Sequence, residues 1–378
     1  MPIKIVWLMM VKILQICYLN PFENYGGIEK YVLELSEALS FQYSVTVDIL
    51  CAGNNFKVSK VSTGKVITLR VPHFGKKEFF FVSKYLYAIY VRKYLNQHYV
   101  EYSALHFHGD NGFIGEKFKE KTVLTLHGIA RSSESVSKRI SSYLPTRIEK
   151  NNVKMAGITF SVSIPAKEFF KNYSSKKEIW LIKQSIDISK YQIRNETKKK
   201  EARIKLKIED DMVVGVITGR DVKRKGLDLA ISAIESIRQT NIALFAIGFP
   251  TVEDVSNKVY FTGDVSEDIK RLYLVSSDFF IFPSKKEGFP ISVLEAAAIG
   301  LPIIVSKQSG VSELENLVPF FREIDSLSPI DYSNAVLELI NLIQKSEFST
   351  FKRNNSAISQ YSVLNIASQY MEAYKKLI

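Results

Sequence analysis

Two carboxylates, Glu287 and Glu295, flank a Gly-Phe-Pro turn in the run Pro283-Ser284-Lys285-Lys286-Glu287-Gly288-Phe289-Pro290-Ile291-Ser292-Val293-Leu294-Glu295. A carboxylate in such a loop accepts hydrogen bonds from sugar hydroxyls, and a second one a turn or so later can bridge a ribose diol. Upstream, Thr218-Gly219-Arg220-Asp221-Val222-Lys223-Arg224-Lys225-Gly226 sets Arg220 and Lys225 between a strand end and a helix start. There a guanidinium and an ammonium can neutralise a diphosphate as a divalent metal would. A solvated basic loop accounts for that run equally well when it is taken alone. In the first half, His106, His108, Asp110 and His127 follow two strand-like runs. Their clustering lifts them above background, although a single histidine is more often structural than catalytic. Near the start, Asn20-Pro21-Phe22-Glu23-Asn24-Tyr25-Gly26-Gly27 leads into a helical pattern. Its paired glycines allow a sharp turn and close backbone approach, and the following helix N-terminus favours an anion; a plain turn explains them too.

These residues need a scaffold that gathers them, and the hydrophobic pattern supplies one. Short β-rich runs occur at 13–18, 45–50, 66–71, 104–107, 123–126, 158–161 and 179–182, separated by amphipathic segments such as 29–39 and 165–172. After a polar, basic stretch at 194–207 the pattern restarts at 212–218, 242–247, 259–261, 279–282 and 303–305, with helical patterns at 227–237, 267–275 and 292–298. Nearly continuous apolar strands alternating with helices predict a parallel sheet covered on both faces, here twice over. The expected fold class is therefore α/β, with two doubly wound, Rossmann-like domains. Residues 1–187 form the first and 188–361 the second, and a helix at about 362–378 returns to the first. Ligands of open α/β sheets bind beyond the carboxyl ends of the strands, which is where every residue named above falls.

With those motifs in place, nearly the whole chain resembles the retaining glycosyltransferases of family 4, which have the GT-B fold of two such domains facing across a cleft. The resemblance rests on Glu287 to Glu295 followed by Glu-Ala-Ala-Ala-Ile-Gly-Leu-Pro, on Gly219-Arg220 with Lys225-Gly226, on Thr125-Leu126-His127-Gly128 and on Ser309-Gly310-Val311-Ser312-Glu313. It implies transfer of a sugar from a nucleotide diphosphate sugar, UDP- or GDP-linked, with retention at the anomeric carbon and with neither metal nor cofactor. It also implies roles. Arg220 and Lys225 hold the diphosphate, and Glu287 takes the donor sugar hydroxyls. Glu295 takes the ribose, and His127 lies on the sugar near the reacting carbon. Gly26, Gly27, Gly219, Gly288, Phe289 and Pro290 complete the donor contacts, while His108 and Asp110 are secondary or acceptor contacts. Two departures are visible: Ile182-Lys183-Gln184-Ser185-Ile186-Asp187 replaces the family's Pro-Asn-Gly-Ile-Asp run, and Ser309-Gly310 replaces its Gly-Gly.

Composition bounds the rest. The 378 residues are 46% apolar and 24% charged, which excludes disordered and low-complexity classes. Cys17 and Cys51 have neither metal-ligand nor disulfide-framework spacing, pointing to a cytosolic chain without structural zinc. The net charge of +12 is lopsided: up to Lys190 there are 27 basic against 15 acidic residues, and the remainder is balanced. No nucleic-acid motif accompanies this charge, so no nucleic-acid partner is expected. Within residues 57–94, Phe79 to Tyr94 interleaves aromatics with Lys84, Arg92 and Lys93. Such a helix can lie on an anionic bilayer, or it can pack its aromatic side on its own sheet. The first reading predicts a peripheral protein on the inner face of the cytoplasmic membrane, acting on a glycan or polyprenyl-diphosphate-linked acceptor in bacterial surface polysaccharide synthesis. The alternative is a non-catalytic partner of the same fold, or a glycan-binding protein. Residues 1–9 read as an upstream extension, and Gly115 to Thr122 only mimics a phosphate loop, since Glu120 stands where its second glycine belongs.

Overall fold

The computed structural model describes residues 11–23, 26–72, 80–128, 136–175, 177–238, 241–345 and 355–378. The expected extension at 1–9, and Asn24, Tyr25 and Phe79 of the motifs above, lie outside them. The chain divides into two compact units, one of residues 1–187 with 360–378 and one of 188–359.

The first unit carries an eight-stranded sheet. Its elements are β1 (Lys12–Ile16), α1 (Gly27–Tyr43), β2 (Thr46–Gly53), β3 (Lys57–Lys60), β4 (Lys65–Arg70), α2 (Phe80–His98), β5 (Ala104–His108), β6 (Thr122–Leu126), α3 (Val136–Met155), β7 (Ile158–Ser161), α4 (Ile164–Phe170) and β8 (Ile179–Leu181). The strand order is β3-β4-β2-β1-β5-β6-β7-β8, parallel except where β3 pairs antiparallel with β4. That edge hairpin has no counterpart in the sequence pattern, because Lys57, Val58 and Lys60 are all exposed and β3 shows no apolar face to read. The Gly115 to Thr122 run is a 3-10 turn leading straight into β6.

The second unit contains α5 (Glu196–Leu206), β9 (Val213–Thr218), α6 (Val222–Lys225), α7 (Leu227–Ser236), β10 (Ile242–Ile247), β11 (Val259–Gly263), α8 (Glu267–Ser276), β12 (Phe279–Phe282), α9 (Ile291–Ala298), β13 (Ile303–Ser306), β14 (Phe321–Ile324), α10 (Pro329–Gln344) and α11 (Asn355–Ser359). Its six strands run β11-β10-β9-β12-β13-β14. The polar, basic stretch at 194–207 is in large part a helix. Asn195 caps α5 by accepting from the Lys198 amide, and Arg203 is buried against Asp278 at 2.7 Å. The longest helix of the second unit, α10, and the strand β14 are additions to the sequence reading.

The last helix, α12 (Val363–Leu377), returns to the first unit. Val363, Ile366, Ala367, Tyr370, Met371 and Tyr374 recur at helical spacing and bury one face against Tyr31 and Leu35 of α1 and Val123 of β6.

The aromatic helix α2 also turns inward. Tyr87, Val91 and Leu95 are fully buried in the core that covers β1, β2 and β5, and Tyr90 and Tyr94 pack against it. The Tyr87 hydroxyl reaches the carbonyls of Cys17 and Leu50 at 2.6 and 2.8 Å. The expectation of an aromatic face offered to a membrane is therefore corrected: Tyr87, Tyr90 and Tyr94 cover the sheet, and of the described side chains from 82 to 94 only Ile89, Arg92 and Lys93 are exposed.

Candidate functional site

Both sheets reverse their winding at one point. In the first unit β1 lies between β2 and β5, and in the second β9 lies between β10 and β12. Helices on either side of such a switch diverge and open a crevice at the strands' carboxyl ends. Gly26 and Gly27 begin α1 after β1, His106 and His108 end β5, Arg220 and Lys225 follow β9, and Glu287 follows β12. The candidate residues thus gather at the two switch points, one group in each unit.

In the second unit two loops are tied together. Asp221 caps α6 by accepting from the Arg224 amide at 3.0 Å, and the chain then turns at Gly226, whose φ is +70°. A Cβ at Gly226 would lie 2.0 Å from the Pro283 carbonyl oxygen, so only glycine lets the loop after β9 pass this close to the loop after β12. The Arg224 carbonyl accepts from the Lys285 amide at 2.9 Å and from the Ser284 hydroxyl at 3.0 Å. Across this junction Glu287 Oε1 receives Lys225 Nζ at 2.8 Å, Arg224 at 2.6 Å and the Ser284 hydroxyl at 3.1 Å. Burial, the largest influence, pulls the Lys225 ammonium below its usual pKa, while Glu287 acts the other way. The Glu287 amide also donates to the Gln308 carbonyl, and Gly310, with φ +64°, lets its loop approach the Gly288 carbonyl. Pro290 sits at the start of α9, after Phe289.

Arg220 stands apart from this cluster. Its side chain is 57% exposed, and its one partner among the described residues is Asp264 at 3.2 Å. An exposed pair of this kind contributes about 0–1 kcal/mol, so Arg220 can leave it for a phosphate at little cost. Gly219 holds the preceding turn against the Phe249 ring, which a Cβ would meet at 2.7 Å.

Glu295, expected to take the ribose, is 1% exposed and already engaged. Its carboxylate accepts from the Tyr191 hydroxyl at 2.9 Å and pairs with Lys270 at 3.0 Å. Both partners come from distant sequence, Lys270 from α8 and Tyr191 from the segment before α5, so spacing along the chain could not reveal them. A cavity of about 300 Å³ next to Tyr191, bounded by α5 and α8, contains none of the predicted donor residues.

The first unit holds three histidines in a row. The rings of His106 and His108 stack at 4.2 Å and those of His108 and His127 at 5.2 Å. His108 Nδ1 lies 2.9 Å from His127 Nε2, and His108 Nε2 lies 2.8 Å from Gln15 Oε1. His106 joins Tyr374 at 2.7 Å and Thr125 at 2.8 Å, Thr125 joins Tyr370, and Tyr31 donates to Tyr370. Burial lowers the pKa of all three, that of His127 to about 4, so they are neutral at physiological pH. His106 and His108 are wholly buried and only His127 is partly exposed. Of the two roles expected for His108, acceptor contact or secondary contact, its burial leaves the secondary one, since it touches Gln15 and His127 of its own unit and no solvent. Asp110, 5% exposed, is likewise engaged, by Lys84 at 2.5 Å. Arg224, Ser284, Gln15 and the two α12 tyrosines are the contributors that sequence reading missed. Only Arg224 had a local signal, as the neighbour of Lys225.

Comparison with known proteins agrees with this architecture. Residues 198–317 match the family model for glycosyl transferases group 1, a span that includes Arg220, Lys225, Glu287 and Glu295. The chain is 32% identical over 207 residues to the Putative teichuronic acid biosynthesis glycosyltransferase TuaC of Bacillus subtilis; this covers 54% of the chain and 52% of the relative, so the chain spans about half that relative's length. Among solved structures, sucrose-phosphate synthase from Thermosynechococcus elongatus superposes with a TM-score of 0.77 at 19% identity, over 97% of this chain and 99% of that one. Anabaena Alr3699/HepE in complex with UDP and glucose superposes with a TM-score of 0.67 at 16% identity, again over 97% and 99%. The chain has the GT-B fold, and its residues 198–317 match the glycosyl transferases group 1 family.

Proposed function

We propose that this protein is a retaining, metal-independent glycosyltransferase of the family 4 type that moves a hexosyl group from a nucleotide diphosphate sugar to a glycan or lipid-linked acceptor. The observation that carries the reading is the Lys225–Glu287 pair across the two loops at the switch point of the second unit. It offers a cation for the diphosphate and a carboxylate for the sugar hydroxyls side by side, with the weakly held Arg220 as the second cation. The UDP and glucose in the Anabaena neighbour support a nucleotide sugar as donor. In the reaction, the bond from the anomeric carbon to the leaving phosphate oxygen breaks and a bond to the acceptor oxygen forms on the same face. The acceptor's proton passes to the departing phosphate. Arg220 and Lys225 stabilise the charge that grows on that phosphate, and such preorganised donors supply the largest share of many rate enhancements.

Thermal unfolding in EDTA with UDP, GDP or ADP tests this. A nucleotide bound to the folded protein at 100 times its Kd adds about 2.7 kcal/mol. At least one of the three should raise the melting temperature by several degrees, and Arg220→Ala or Lys225→Ala should abolish the rise. No rise with any of them, or an equal rise in both variants, refutes the assignment.

For the acceptor, the basic first unit favours a substrate at an anionic bilayer surface on the cytoplasmic side. No helix of the described residues is long and apolar enough to cross a membrane, so the contact we propose is peripheral. With the α2 aromatics turned inward, its place is the edge hairpin of β3 and β4, where Lys57, Lys60, Lys65 and Arg70 are exposed beside Phe56 and Val58. Each basic residue near such a surface contributes about 1 kcal/mol. The protein should sediment with phosphatidylglycerol vesicles at low salt and be released when these four residues become Gln. Equal recovery with phosphatidylcholine vesicles removes the membrane from the account.

A further inference from the structure

The three histidines leave one question of chemistry open, which ring nitrogen carries each proton, and the surrounding hydrogen bonds answer it. The Ser36 hydroxyl donates to the Val32 carbonyl one helical turn back, at 2.7 Å. Its proton is thereby used, so towards Gln15 Nε2, 2.9 Å away, Ser36 is an acceptor. That turns the Gln15 carbonyl oxygen towards His108 Nε2 at 2.8 Å, and a carbonyl oxygen only accepts. The proton of His108 is therefore on Nε2. His108 is buried and touches no carboxylate, so it is neutral and its Nδ1 is a bare lone pair. His127 Nε2, 2.9 Å from that lone pair, must then be the donor. A neutral His127 with its proton on Nε2 has none on Nδ1, and among the described residues no protein group is bonded to that atom.

We propose that Gln15 is a positioning residue which, through His108, holds His127 as its Nε2–H tautomer and leaves Nδ1 as a permanent acceptor for a hydroxyl of the transferred sugar. The last step rests on the glycosyltransferase reading above; the tautomer does not. The arrangement has a consequence for selectivity. A lone pair accepts from a sugar hydroxyl but repels an ionised phosphate oxygen, which has only lone pairs to offer. Were the Gln15 amide reversed, every donor and acceptor in the row would reverse with it, and His127 would present an N–H instead.

The test is a two-bond nitrogen–proton correlation spectrum of the full-length protein labelled with 15N-histidine, without substrate, at pH 7.5. The chain has five histidines, and the His127 signals are identified as those lost in His127→Ala. The expected wild-type result is a neutral His127 protonated on Nε2. Gln15→Met should mix its tautomers and raise KM for the nucleotide sugar about tenfold, the worth of roughly one hydrogen bond. Ser36→Ala, a milder change, removes what aims the amide and should also mix them, so it decides the matter if Gln15→Met does not fold. A wild-type His127 that is cationic or protonated on Nδ1 overturns the proposal, as does a pattern that survives both substitutions. The spectrum is read without substrate, so an Nε2–H His127 in a protein that ignores every nucleotide sugar upholds the positioning by Gln15 and refutes the functional reading alone.

Discussion

Lys225→Ala is expected to lower the rate of sugar transfer by about a hundred- to a thousandfold, the cost of removing one preorganised donor to a developing oxyanion. The ammonium is held at 2.8 Å from Glu287, over the Phe282 ring at 4.9 Å, and its low accessibility draws its pKa down. Such a cation needs little reorganisation to meet a phosphate and is screened little by water, so its charge counts for more than that of a surface lysine. Alanine removes the charge and frees Glu287, which keeps Arg224 at 2.6 Å and Ser284 at 3.1 Å and so is not left as an unpaired carboxylate. The variant should therefore stay folded, with a melting temperature within a few degrees of the wild type in the absence of nucleotide. Lys225→Arg should not restore full activity, because the longer planar guanidinium cannot occupy the same tight position between Glu287 and Phe282. The measurement is initial rate with a saturating nucleotide sugar. A variant within threefold of wild type would remove Lys225 from the chemistry and take the diphosphate assignment with it.

The first unit should lose stability steeply in acid. His106, His108 and His127 have their folded pKa values lowered, with burial the leading cause, and His127 reaches about 4 against an ordinary value of 6.5. The unfolded chain binds protons at all three below about pH 6.5 while the folded unit does not. Stability is thus complete above that pH and falls as the pH drops towards the folded values, by up to about 1.4 kcal/mol per pH unit for each histidine. By pH 5 His127 alone costs about 2 kcal/mol, and His106 and His108 act in the same direction. The groups bonded to the rings of His106 and His108 are Tyr374, Thr125, Gln15 and His127, none of them a carboxylate that could stabilise an imidazolium. Tyr31 and Tyr370, packed against the row, stay protonated because burial raises their pKa. Trp180 lies in β8 of the first unit, so its fluorescence follows that unit through a urea titration. The midpoint should fall between pH 7 and pH 5, and His108→Gln should remove part of that fall. A midpoint constant over this range would mean the histidines are not held neutral.

Much of the donor side was open to local reading. Arg220, Lys225 and Glu287 each sit within a few residues of a strand end, and the parallel α/β pattern alone puts strand ends at the binding edge. Gly226 belongs to the same legible set, since its turn is local even though the Pro283 carbonyl that enforces it is not. Where a residue's partner comes from elsewhere in the chain, local reading stopped. Glu295 looked free for a ribose until α8 delivered Lys270 to it, and α2 looked amphipathic until the sheet took its aromatic side. Periodicity records that a face is apolar, not whether sheet or solvent meets it.

By itself, the amino-acid order determined two wound sheets, the strand ends at which charge gathers, and the identity of the cations and of the loop carboxylate. It did so because strand period, turn chemistry and capping act over a few residues. Only the tertiary structure decided that Ser36, Gln15, His108 and His127 form one line of hydrogen bonds, that Tyr370 and Tyr374 from the far end of the chain buttress it, and that the row is neutral. Proton placement on a buried imidazole depends on what each nitrogen faces in space, and those neighbours are brought together by folding across hundreds of residues.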